Sequence, residues 1–423
     1  MPARVSLATG LYPHNLNLWD NTDFCLPSDW PTWMRSVRAA GFRTALIGKT
    51  HLYSHLESSV PFDMRHRTHL VRSYGFDFVD EIPGPKAAAT IGSSYSSFLE
   101  DQRLLRAYQK DIANRQENKP YVARPSPVGE WAHPDAYVGR RAFDYLAHTA
   151  NEEPWFCCVS FGGPHEPWDA PGAYASMYQP GDMPLPLPDP SWSEVGQYDG
   201  HLRETFASAK SHPMFETGEV AALRANYAGK VSLIDSQIGR ILELLREKGV
   251  YENTAVIVCS DHGEMNGDYG LLYKRTFYDA AVRVPLVFRI PEIPRPKLHR
   301  IADPVEWIDI GPTIAELAGA DIAYRQFGRS LLPLMTDNSS TSRDSVLSEC
   351  AGEIMIMTRQ WKMVLNAAGQ PYLLFSRAEH GSEARNLMNS PKTVDVISEL
   401  RRAAALKLLE SQAVGPTSAP TGG

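Results

Sequence analysis

No run of about 18 apolar residues occurs anywhere in the 423-residue sequence, so no membrane-spanning helix is expected. A large excess of charge is missing too. Forty-two Lys and Arg against 49 Asp and Glu leave a formal net charge of −7. Such a mildly acidic surface lacks the field that draws nucleic acid or an anionic membrane. An anionic substrate would therefore need a local cationic pocket. Cysteine is scarce and odd in number. The five (Cys25, Cys157, Cys158, Cys259, Cys350) make no disulfide framework. Cys157, Cys158 and Cys259 fall inside apolar strand-like runs and read as buried free thiols, which leans towards a reducing, cytoplasmic compartment. No signal peptide and no internal repeat are legible.

What is present is an ordinary globular composition, 43% hydrophobic and 22% charged, in a chain long enough to bury a large core. Apolar runs alternate with amphipathic stretches, the pattern of an α/β sheet with crossover helices. Three runs read as strands: Arg43–Ile47, Trp155–Phe161 and Thr254–Ser260. The longest helix precedes the third. Its apolar positions Val220, Leu223, Tyr227, Val231, Ile234, Ile238, Ile241 and Leu245 step by three and four.

Each strand runs directly into a polar cluster: Gly48-Lys-Thr-His51, Gly162-Gly-Pro-His165 and Asp261-His-Gly-Glu264. In open α/β sheets ligands gather outside the carboxyl ends of the strands. Three separate segments thus bring Lys49, His51, His165, Asp261 and His262 to one rim. Lys49 and His51, two apart in an extended segment, face the same way. A carboxylate and an imidazole on adjacent residues, Asp261 and His262, can both reach an ion at a strand-to-loop bend. A Pro-rich stretch, Gln179–Pro190, reads as an irregular loop that could shape an entrance. Beyond about Asp337 short strand-like runs (Ser345–Leu347, Ile354–Met357, Trp361–Leu365, Tyr372–Phe375) suggest a small antiparallel sheet. A helix over Val394–Leu409 and a disordered tail follow.

Several of these segments together resemble the sulfatase family. The first ten residues, Met1-Pro-Ala-Arg4-Val-Ser-Leu-Ala-Thr-Gly10, are similar to the family signature after its opening Cys or Ser. In that register Met1 fills the second position, the nucleophile belongs one residue upstream, and Arg4 is the signature arginine. Gly48-Lys-Thr-His-Leu52 resembles the Gly-Lys-x-His-Leu element, and Pro164-His-Glu-Pro167 the Pro-His-x-Pro element. Ser260 to Lys274, with Thr276-Phe-Tyr-Asp279 and Arg283-Val-Pro-Leu286, resembles the segment supplying two metal ligands and a sulfate-binding lysine. Asp309–Gly319, Phe327–Leu334 and Glu383–Leu387 extend the resemblance over nearly the whole chain. Cys25-Leu-Pro-Ser28 mimics the signature start, but Asp29 stands where Arg must be, so Cys25 is not the nucleophile.

The resemblance implies an alkaline-phosphatase-like α/β sandwich: a large mixed sheet flanked by helices, plus a small C-terminal antiparallel sheet with a helix. The expected division is a catalytic domain over 1–336 lacking its first strand and nucleophile, a subdomain over 337–412 and a tail over 413–423. It implies a metal-dependent sulfuric ester hydrolase with Arg4, Lys49, His51, His165 and Lys274 as catalytic residues and Asp261 and His262 as metal ligands. The cofactors it implies are one divalent ion and a formylglycine made from an upstream Cys that this chain lacks. Carboxylates suit Ca²⁺, and the imidazole admits Mn²⁺. The substrate would be a small-molecule or saccharide sulfate ester, with the alcohol and the oligomeric state, a homo-oligomer included, left open.

Two alternatives stand beside this reading: a phosphonate monoester or phosphodiester hydrolase, and a non-catalytic anion-binding protein. An in-frame Cys or Ser codon just upstream of Met1, after an Asp-Asp strand, would favour the enzyme; a stop codon would favour the binding protein. Losing the first strand should also open a gap beside the strands ending in Lys49 and Asp261. The chain as written is expected not to turn over an aryl sulfate, and restoring the upstream residues is expected to give metal-dependent turnover. Activity of the unextended chain that survives Cys25→Ala would contradict the register.

Overall fold

The computed structural model describes the chain except residues 56–61, 118, 120, 191–198, 292, 294–299, 337–342, 379–382, 384 and 413–423. The expected subdomain boundary near 337 and the tail lie outside the described residues. The elements that position the site are helices α1 (Pro2–Thr9), α2 (Trp33–Ala39), α3 (Pro134–His148), α4 (Glu219–Glu247), α5 (Asp279–Val282), α6 (Ile310–Leu317) and α7 (Val394–Glu410). The strands are β1 (Arg43–Gly48), β2 (Phe78–Glu81), β3 (Trp155–Ser160), β4 (Val256–Cys259), β5 (Leu286–Arg289), β6 (Val346–Cys350), β7 (Glu353–Met357), β8 (Trp361–Leu365) and β9 (Pro371–Ser376).

β1 lies between β2 and β3, parallel to both, with Leu46 opposite Val79 and Cys158. A central parallel strand is covered on both faces and so reads as a continuous apolar run rather than an alternation. Accordingly, Leu46 packs with Val5, Trp33 and Val37 of α1 and α2 on one side. Ile47 packs with Val138, Ala142, Ile241 and Leu244 of α3 and α4 on the other.

β4 and β5 form an antiparallel pair, and β6 to β9 form a four-stranded antiparallel meander backed by α7. The α/β class is as expected, with parallel strands in β1 to β3 and antiparallel ones in the separate β4–β5 pair. Among the described residues no ladder joins β3 to β4, and every side chain of β3 is half-buried, unlike those of β1. The expected thiol burial holds only in part. All five cysteines are free, Cys157 and Cys158 are half-buried, and Cys259, at the open end of β4, is exposed.

The long helix departs from its predicted stripe. Val231 is 45% exposed, whereas Asn226, Lys230 and Gln237 are buried. The reason is what α4 faces at mid-length: the irregular segment after β3, whose carbonyls and amides need polar partners that an apolar stripe cannot supply. The Pro-rich segment packs against the same helix, with Arg224 Nη1 donating to the Pro184 carbonyl at 2.8 Å. The C-terminal sheet is tied to the rest by Lys362, whose ammonium is 1% exposed. It donates to Asp279, Glu383 and the Phe277 carbonyl.

At the end of β2, buried Glu81 accepts from Tyr53 Oη at 2.6 Å and from Thr50 Oγ1, holding the Lys49–His51 turn from below. Burial pushes its carboxyl up from the ordinary 4.5 to about 8, against the two hydrogen bonds. The folded state therefore holds this proton more tightly than the unfolded chain. Its contribution is fully present below about pH 4.5 and is lost as pH rises through 8. Glu81→Gln is expected to raise the melting temperature at pH 8 and leave it nearly unchanged at pH 4.5, as read by thermal unfolding at both values.

Candidate active site

The three strand ends are brought to one place by a single guanidinium. Arg4, on α1, donates from Nε to Asp261 Oδ2 at 2.7 Å and from Nη1 to the Lys49 carbonyl at 2.7 Å and Ser160 Oγ at 2.8 Å. It thus links the segments following β1 and β4 to the last residue of β3. The approach is close. Gly48 has φ 107° and a Cβ there would lie 2.0 Å from the Ser160 carbonyl, so glycine is required. Gly263 is equally constrained: a Cβ would meet the Ala280 carbonyl at 1.9 Å, at the start of the turn that carries the chain to Lys274.

Met1, Lys49, His51, His165, Glu166, Asp261, His262 and Lys274 line one cavity of about 1660 Å³. Arg4 stands behind Asp261 with its Nε and Nη1 donors committed to protein. Every other site residue predicted from the sequence reaches the cavity wall. The Pro-rich segment lines none of it.

Lys274 Nζ lies 2.7 Å from His165 Nε2, and Glu166 Oε2 lies 2.7 Å from Nδ1 of the same ring. Lys86 holds the other oxygen of Glu166 at 2.9 Å. Glu166 and Lys86 were missed by the sequence reading. Glu166 sits inside the quoted Pro-His-Glu-Pro element, so its neighbourhood to His165 was a usable signal; nothing marked Lys86.

Burial lowers the His165 imidazole below its ordinary value, helped by the Lys274 charge and opposed by Glu166. Burial, aided by the Lys49 charge, pushes His51 far down, so both rings are neutral. Burial also brings Lys49 down to about 7, with the Arg4 and Lys274 charges adding to it against Asp261 and Glu166. Glu264 is raised to about 7 by burial and the Glu166 charge. Asp261 goes the other way. Burial opposes its charge, but Arg4, His262 and Lys49 hold the carboxyl well below the usual range.

Asp261 and His262 fit one side of a cation site. His262 Nδ1 lies 2.9 Å from the Gly263 carbonyl, which fixes the proton there and leaves Nε2 as the free donor. Nε2 is 3.7 Å from Asp261 Oδ1, the oxygen that Arg4 does not use. Burial lowers the ring to about 4, keeping it neutral and able to ligate. Among the described residues no third His, Cys, Asp or Glu joins them.

Residues 1–320 match the family profile described as Sulfatase, and residues 267–411 match the one described as N-sulphoglucosamine sulphohydrolase, C-terminal. Over 404 residues the chain is 28% identical to a choline-sulfatase of Rhizobium meliloti (strain 1021), covering 92% of this chain and 73% of that protein. It is 29% identical to an arylsulfatase of Clostridium perfringens (strain 13 / Type A) over 385 residues, 89% of this chain and 78% of the relative. Among solved structures, the phosphonate monoester hydrolase SpPMH from Silicibacter pomeroyi aligns with a TM-score of 0.78 at 25% identity, over 97% of this chain and 86% of that one.

Because Lys49 titrates near 7, its ammonium is present below that pH and lost above it. Sulfate binding to the cavity, measured by calorimetry, is expected to tighten as pH falls from 8 to 6. Lys49→Met is expected to flatten most of that dependence, the remainder tracking Glu264.

Proposed function

The chain belongs to the sulfatase family and is a sulfuric ester hydrolase, and from that premise we propose how its own residues carry the reaction. The observation that supports the assignment is the 2.7 Å contact between Lys274 Nζ and His165 Nε2 on the same cavity wall as Lys49, His51, Asp261 and His262. Lys49 and Lys274 neutralise the sulfate oxygens. Arg4 acts through Asp261 and the Lys49 backbone, as a positioning residue. With the imidazole neutral, Lys274 donates to His165 Nε2. The pair then holds a proton for the ester oxygen that departs when the sulfur–oxygen bond breaks. Neutral His51 is the proton acceptor on the nucleophile side.

The family's members are generally metal-dependent and use formylglycine as nucleophile. Asp261 and His262 would hold the ion here, and it would supply a Lewis acid that polarises and orients the anion. Oxygen and imidazole donors together accommodate Ca²⁺ and admit Mn²⁺. The cavity has room for a saccharide as well as a small sulfate ester. Similarity to a phosphonate monoester hydrolase supports a second activity on phosphonate monoesters, which a side-by-side assay of 4-nitrophenyl sulfate and 4-nitrophenyl phenylphosphonate would measure.

In the enzyme carrying the signature nucleophile, Lys49→Ala or Lys274→Ala is expected to cost about 10²–10³ in rate, the usual loss for a charge-stabilising donor in a dry site. His165→Ala is expected to depress hydrolysis of an alkyl sulfate far more than that of 4-nitrophenyl sulfate, because only the poor leaving group needs the proton. Equal losses for both esters would show that His165 is not part of the proton donor.

A further inference from the structure

The segment from Gly163 to Pro167, which carries His165 and Glu166, has few interactions of its own kind beneath it. Its polar backbone groups are met by polar side chains from two helices. Lys230, at the middle of α4, donates to the His165 carbonyl at 2.8 Å, the Pro167 carbonyl at 2.8 Å and Asp169 Oδ1 at 3.0 Å. Its side chain is fully enclosed, at 0% exposure, and that of Asp169 at 1%. At the other end of the segment, Asp135 of α3 accepts the Gly163 N–H at 2.7 Å. His133, just before α3, bridges the two carboxylates, 3.6 Å from Asp135 Oδ2 and 3.5 Å from Asp169 Oδ1. The second oxygens, Asp135 Oδ2 and Asp169 Oδ2, have no hydrogen-bond partner among the described residues.

Taking an ammonium wholly out of water costs several kcal/mol and is repaid only when its donors are met by well-placed acceptors. An ordinary fold-stabilising position on a core helix would carry Leu or Ile, and periodicity predicted an apolar face along α4. Here the three ammonium protons are all spent, and two of them go to the carbonyls on either side of Glu166. One of these belongs to the catalytic histidine itself. The His165–Glu166 and Pro167–Trp168 peptide planes, which bracket the Glu166–Pro167 bond, are thereby fixed. These planes determine where the imidazole meets Lys274 and where the Glu166 carboxylate meets Nδ1.

We infer that Lys230, backed by Asp169 and His133, is a positioning residue for the His165–Lys274 proton donor: it sets the direction of the His165 segment and acts on the leaving-group step through that histidine alone. The inference rests on the role given to His165 above. A misplacement of the donor by about 1 Å is worth on the order of 10² in rate, and the loss falls where the proton is needed.

The test compares hydrolysis of an alkyl sulfate and of 4-nitrophenyl sulfate by Lys230→Met, His165→Ala and the double variant, in the enzyme carrying the signature nucleophile. Lys230→Met is expected to lower kcat for the alkyl ester by about 10²-fold and for the nitrophenyl ester by less than about tenfold, with KM nearly unchanged. In the His165→Ala background the same change is expected to add nothing to the alkyl-ester loss. Equal losses for both esters, or losses that multiply in the double variant, would mean a structural role only and overturn the inference. If Lys230→Met does not fold, Asp169→Asn keeps the volume and loosens the same ammonium, and a smaller loss with the same leaving-group bias is expected. A bias in His165→Ala with none in either positioning variant refutes this inference while sparing the role of His165. No bias in His165→Ala itself refutes both.

Discussion

One guanidinium holds the site together. Arg4 reaches a carboxylate, a backbone carbonyl and a hydroxyl that belong to the ends of three strands, and its fixed fork allows all three at once. A charge pair out of water is favourable only when the remaining donors are also satisfied. Arg4 commits Nε to Asp261 and Nη1 to the Lys49 carbonyl and Ser160 Oγ, and the pair stays partly exposed, at 17% and 18%. The consequences spread through the cavity. Asp261 stays ionised in spite of burial, which preserves a carboxylate oxygen facing His262, and the Arg4 charge adds to the burial that brings Lys49 down to about 7. Lys49 and the candidate cation site are therefore electrostatically linked through Arg4.

Behind this first layer the same solution recurs three times. Each loop that delivers a site residue rests on a buried ionisable group. Glu81 lies under Thr50 and Tyr53, on either side of His51; Lys230 lies under His165; and Lys362 lies behind the Phe277–Asp279 stretch that follows Lys274. Loops leave backbone groups without ladder partners, and buried side chains with several donors or acceptors satisfy them where water cannot enter. The arrangement stiffens the loops on buried ionisable groups, and burial makes the Glu81 carboxyl hold its proton more tightly in the folded chain than in the unfolded one.

Much of this was legible in the sequence, for physical reasons. β1 and β3 stand out because a strand covered on both faces is a continuous apolar run, and a polar cluster directly after such a run marks a strand's carboxyl end. β8 and α7 were likewise placed to within a residue by period and length. That Lys49, His51, His165, Asp261, His262 and Lys274 meet at one cavity was legible because motif spacing records local geometry. The missed features are those made by long-range contact. Lys230, Glu81 and Lys362 lie in stretches whose periodicity speaks only of apolar faces, and a polar residue on the wrong side of a stripe reads as noise. The separate β4–β5 pair depends on ladder pairing that no local pattern encodes. Arg4 was identified, but its commitment to Asp261 rather than to the cavity emerges only from three dimensions.

The central claim is that Lys49, Lys274 and His165 converge on one anion. Anomalous diffraction at the selenium edge, from crystals of this chain soaked in selenate, tests it most directly. The account predicts one strong peak in the cavity between the two ammonium groups and His165 Nε2, lost when Lys49 and Lys274 are both replaced by Met. A peak elsewhere with this position empty at saturating selenate, or an unchanged peak in the double variant, would contradict it.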